Sequence, residues 1–194
     1  MTAAMRSQLK KRSLWKGLAY ALLLGLVGAG IVHIVILLLI PSFSERNAWG
    51  RLADVADLET MVRIDTSAAG PPLISGTDPA FLSAACRFDL SDGILHVQAP
   101  GHVPFWSASV YDRGGSNLFS LTDRSGPAGL LDVVVLTPEQ MIDVRADLPQ
   151  EFSQSVFLEL PMSEGIIVVR AFAPDASWRP ALEDFFRRSS CKLV

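Results

Sequence analysis

Three side chains able to ligate a metal or move a proton fall close together in the chain: Asp89, His96 and His102. Asp89 and His96 sit on alternating runs, and His102 lies in the following loop, so a carboxylate and two imidazoles have the donor types that hold a divalent cation. Asp112 and Asp123 lie at neighbouring strand ends. Each is followed by an arginine, a pattern more typical of turn carboxylates with local ion pairs than of acid–base catalysts. Phe105, Trp106, Tyr111 and Phe119 are candidates to line a groove, although a hairpin needs the same rings for its core.

Other catalytic signatures are missing. The chain has no G-x-S-x-G elbow, no phosphate-binding glycine loop, no H-E-x-x-H and no C-x-x-C pair. Ser189 to Lys192 matches S-x-x-K by letters only. Gly25, Gly28 and Gly30 crowd together inside an apolar run, where no strand precedes them to build a phosphate loop. No cofactor is expected.

That apolar run extends from Gly17 to Ile40 without a formal charge. As a helix it would rise about 36 Å, enough to cross a bilayer with some tilt. It is too long for the apolar core of a cleaved leader, about 7 to 15 residues, and no A-x-A pattern follows it. Arg6, Lys10, Lys11, Arg12 and Lys16 make the preceding segment basic, which orients it toward the cytoplasm. Trp15, Tyr20 and Trp49 supply amphipathic rings for the two interfaces. Small residues at Gly17, Ala21, Gly25, Gly28 and Ala29 gather on one face and suit close helix–helix packing. His33, the one strongly polar residue of the span, reads as structural.

Five of the 17 basic residues and none of the 20 acids fall in the first 41 positions, so the remainder carries a formal charge of −8. Such a surface repels phosphate backbones, and nucleic acid is not an expected partner. The expected partners are the lipid bilayer and a membrane or periplasmic protein, or a second copy of the chain.

Past the apolar run, Pro41 is expected to end the helix. Ser44 then reads as the cap of a short helix with Trp49, Leu52, Val55 and Ala56 on one face. Thr66 to Pro79 is dense in turn formers and reads as a linker. From Ala85 onward short runs alternate with period two. Cys86, Phe88 and Leu90, then Ser-Asp-Gly, then Leu95, Val97 and Ala99 predict a hairpin. Trp106 to Tyr111 and Leu118 to Leu121, joined by DRGGSN, predict a second. Further strands fall at Leu131 to Leu136, Val156 to Leu160 and Gly165 to Phe172. Thr137-Pro-Glu-Gln carries capping-box residues with proline at the first helical position. A terminal helix opening at Ser177 places Trp178, Ala181, Leu182, Phe185 and Phe186 in an apolar stripe.

Six or seven short strands without long intervening helices predict a mainly β fold, an antiparallel sandwich or barrel-like outer domain. The expected organisation is a basic cytoplasmic N-terminus (1–16), a transmembrane helix (17–40), a juxtamembrane helix and linker (41–79) and a periplasmic β domain (80–194). Cys86 and Cys191 would both lie outside the cytoplasm, where two thiols tend to pair.

The stretch from Ser83 to Arg124, with C-R-F-D-L, P-F-W-S and L-T-D-R, follows a helix ending H-I-V-I-L-L-L-I-P and precedes a final cysteine. In this it resembles small bacterial single-pass membrane proteins of unknown function across nearly the whole chain. Over a shorter part of the chain, D-L-S-x-G followed by F-W-S-x-x-x-Y-D is similar to the domain-of-unknown-function families twelve fifty-four and twelve fourteen. The resemblance implies a β-sandwich in the bacterial cell envelope and carries over no catalytic residue. The function expected is a membrane-anchored periplasmic binding or interaction module, the alternative an envelope enzyme or metal-dependent carbohydrate-active protein.

Overall fold

A computed structural model describes the backbone of residues 3–65 and 78–194, with side chains from residue 15 onward except 40–47. The chain divides into two units, Met1–Phe43 and Ser44–Val194. The helix α1 spans Ala3–Ala53 and includes Trp15–Leu39, a stretch long and apolar enough to cross a membrane, with none of it buried within the protein. Pro41 does not end it, and Ser44 caps no separate helix, contrary to the sequence expectation. Proline removes one donor and disfavours the turn before it, yet α1 continues through residue 41, as membrane helices that contain proline can.

Among its described residues the second unit holds nine strands in two sheets. In the first sheet the order is β1 (Val62–Arg63), β2 (Phe81–Asp89), β8 (Glu164–Phe172), β4 (Trp106–Asp112) and β5 (Asn117–Thr122), all antiparallel neighbours. In the second it is β7 (Val156–Glu159), β6 (Leu131–Leu136), β3 (Leu95–Ala99) and β9 (Ser190–Leu193). Neither sheet closes into a barrel among the described residues. One core fills the space between them, drawing Phe88, Trp106, Val110 and Ile167 from the first sheet and Leu95, Val97, Val133 and Val135 from the second. The arrangement is sandwich-like and mainly β.

Alternation along β4 puts Trp106, Ala108 and Val110 inside, as the pattern requires. β6 is different: Val133 to Leu136 are all buried, because the helix α2 (Pro138–Ala146) and the 3-10 turn Gln150–Phe152 cover its outer face with Met141 and Phe152. The outer face of the first sheet is partly covered too, where Trp49 and Leu52 pack with Ile64, Ala85 and Ile166. Val55, expected on that face, is half exposed.

Three sequence expectations change here. Ser91–Gly93 closes no hairpin, since β2 pairs with β8 and β3 with β6 and β9. The turn passes the chain from one sheet to the other; Leu90 N–H donates to Ser163 O, and Ile94 exchanges bonds with Val194. The sheets are also not purely antiparallel, because α2 lies in the crossover that brings β7 back parallel to β6. And the sheet begins before residue 80, with β1 registered as Val62 opposite Ala85. The expected linker at Thr66 to Pro79 falls largely on residues 66–77, outside the described residues. The β4–β5 hairpin forms as the sequence reads.

Caps follow their residues. Thr137 Oγ1 accepts from Gln140 N–H, Gln140 Oε1 accepts from Thr137 N–H, and Pro138 takes the first helical position. The amide nitrogen of Gln140 then donates to Leu90 O and Gly93 O, at 2.8 and 2.9 Å, tying the inter-sheet turn to α2. The last helix, α3 (Arg179–Arg188), is preceded by a 3-10 turn whose cap is Asp175, not Ser177. It buries Leu182, Phe185 and Phe186; Trp178 and Ala181, placed in the same stripe from sequence, are exposed.

Candidate functional site

β2 ends in Asp89 on the first sheet, and β3 carries His96 on the second. Asp89 turns back on its own loop, where Oδ1 accepts from Ser91 N–H at 2.9 Å and Ser91 Oγ–H at 2.6 Å. The Ser91 hydroxyl, and after it the Ser91 amide, hold this carboxyl below its usual range. His102 is exposed in the loop before β4. Among the described residues no three His, Cys, Asp or Glu side chains are gathered to hold a metal ion. The trio Asp89, His96 and His102 is therefore not assembled as ligands: alternation fixes which way a side chain faces, not which strand lies beside it.

His96 instead meets a partner that spacing does not reveal. Its Nε2 lies 2.9 Å from Asp132 Oδ1 on β6, and Ser155 Oγ–H, just before β7, donates to the same oxygen at 2.7 Å. The Phe152 ring packs edge-on against the imidazole, with centroids 5.1 Å apart. Both members of the pair are mostly sheltered, at 14% side-chain exposure for His96 and 25% for Asp132. A nucleophilic triad needs serine bonded to histidine and histidine to the acid. Here the acid is in the middle and both donors end on one oxygen, so the cluster fastens the crossover onto the sheet and has no activated serine. The one sequence cue to it is Asp132, a charge inside the apolar run LDVVVL.

The remaining candidates sit in varied surroundings. Asp112 Oδ1 accepts from Ser116 N–H as a turn carboxylate, whereas Arg113 reaches across to Glu164 instead of pairing locally. Asp123 Oδ1 is buried without a hydrogen-bond partner. Trp106 is fully buried and its indole N–H donates to Gly129 O at 2.8 Å. Phe105 and Tyr111 are half buried, but Phe119 is 43% exposed, so it is not the core ring the hairpin pattern suggests. Trp49 has two guanidinium carbons over its ring, Arg87 at 5.1 Å and Arg113 at 5.3 Å, the geometry of paired cation–π contacts. Cys86 on β2 and Cys191 on β9 form a disulfide with Cα atoms 6.6 Å apart, linking the two sheets. Gly17, Gly25 and Gly28 would accept a Cβ with nothing inside 4 Å, so within one chain the small-residue face is unfilled.

These features define a class: an apolar, membrane-competent helix followed by a disulfide-linked, two-sheet, mainly β domain. The chain belongs to the family described as "Protein of unknown function (DUF1254)", whose model matches residues 66–191. That match extends well beyond the D-L-S-x-G and F-W-S-x-x-x-Y-D motifs that carry the resemblance in sequence. Among solved structures, the VPA0106 protein from Vibrio parahaemolyticus superposes with a TM-score of 0.56 at 10% identity, over 78% of this chain and 35% of that one. A putative uncharacterized protein from Burkholderia cenocepacia gives a TM-score of 0.42 at 16% identity, over 61% of this chain and 31% of its own. The first likeness is one of fold. The chain thus spans about a third of the length of these solved chains. Comparison with curated proteins finds no match.

Proposed function

We propose that this chain is an inner-membrane-anchored module, its N-terminus cytoplasmic, whose β domain lies in the periplasm and binds a protein or another envelope component. One observation carries the reading: the 25 residues Trp15–Leu39 are helical, apolar but for Lys16, and none of them is buried. Full exposure of a Leu, Ile or Val forgoes about 1.5–3 kcal/mol of transfer free energy in water; the apolar residues of this span are about half to three-quarters exposed, and hydrocarbon removes that penalty. The basic segment before the span favours a cytoplasmic N-terminus, and the Cys86–Cys191 bond suits an oxidising compartment. Support for binding comes from apolar surface with no partner among the described residues: the small-residue face of the span, and Leu118 and Phe119 on β5.

The test has two arms. Alkaline carbonate should leave the chain in the membrane pellet, and protease added to spheroplasts should digest its C-terminal domain; release by carbonate or full protection overturns the placement. A photo-crosslinking residue at Leu118 or Phe119, in full-length protein at native expression, should give a discrete adduct. Adducts at neither position, with a monomer throughout, overturn the binding role.

A further inference from the structure

We draw no further inference here: the strongest candidate, the uncharged edge strand β5 with Leu118 and Phe119 exposed, has nothing in the structure to show what covers it.

Discussion

Removing the Cys86–Cys191 bond should lower the stability of the β domain by an amount its position sets. The two residues are 105 apart in sequence, and closing a loop of about 100 residues reduces unfolded-chain entropy by an amount worth about 4.7 kcal/mol at 25 °C in the chain-entropy model. The second unit, Ser44–Val194, is of a size for which each kcal/mol moves the melting midpoint by about 2–4 °C. The expected drop is therefore about 9–19 °C. Both sulfurs are buried, Cys86 completely and Cys191 at 3% exposure, so replacing them with alanine also removes core contacts and adds to the loss. The Cys86→Ala/Cys191→Ala double variant avoids stray thiols. Its full-length form in detergent should be followed by tryptophan fluorescence and near-ultraviolet dichroism, since the far-ultraviolet signal of α1 will persist. Local loosening should be greatest at β9, which among the described residues pairs only with β3, and hydrogen exchange should rise there before it rises in β8. A midpoint shift under about 3 °C, or two titratable thiols in unreduced native protein, would refute the reasoning.

Other expectations follow from single contacts. Trp106→Ala empties a fully buried indole site and leaves Gly129 O without its donor, so it should cost about 3–5 kcal/mol; urea titration measures this, and a loss below about 1 kcal/mol would mean the ring is not in the core. Asp132→Ala strips His96 and Ser155 of a shared acceptor and should cost about 1–2 kcal/mol, partly offset by water reaching this mostly sheltered site. A double-mutant cycle with His96→Ala should show coupling; strict additivity would separate the two residues. Asp89 is depressed by Ser91, so its contribution is present above the unfolded carboxylate pKa of about 3.9 and fades as pH falls through the lower folded value. Ser91→Ala should therefore destabilise by a fraction of a kcal/mol near neutrality and match the parent protein in strong acid, and a gap that widens on acidification would contradict this assignment.

The legible parts of the molecule are those whose physics is local. Period-two alternation places Trp106, Ala108 and Val110 inside without knowledge of neighbours, and Thr137-Pro-Glu-Gln marks a helix start because cap and first turn are contiguous in the chain. Two cysteines in the chain leave a single intramolecular pairing, so that bond also is readable. What is not legible depends on distant chain. Cys86, Phe88 and Leu90 announce a strand but not that β8, far along the chain, is its neighbour. Ser190–Leu193 is a short segment that includes one charge, too brief to reveal alternation, and becomes a strand because β3 offers a free edge. The expected ligand trio fails for the same reason: Asp89 and His96 are close along the chain yet lie on different sheets, whereas Asp132, 36 residues from His96, is the residue it bonds.

The place of β8 has a consequence for how the domain can be made. β2 and β4 never touch as neighbours; both pair along β8, which comes after them in the chain. While the polypeptide is being made, everything up to Leu160 can emerge with two lengths of backbone still waiting for the same absent middle. Joining of the first sheet is therefore held back until Phe172 has been made, and the half-made intermediate must be shielded or simply brief. A chain cut before Glu164 would lose more than one strand, because the halves on either side would have no common edge on which to meet.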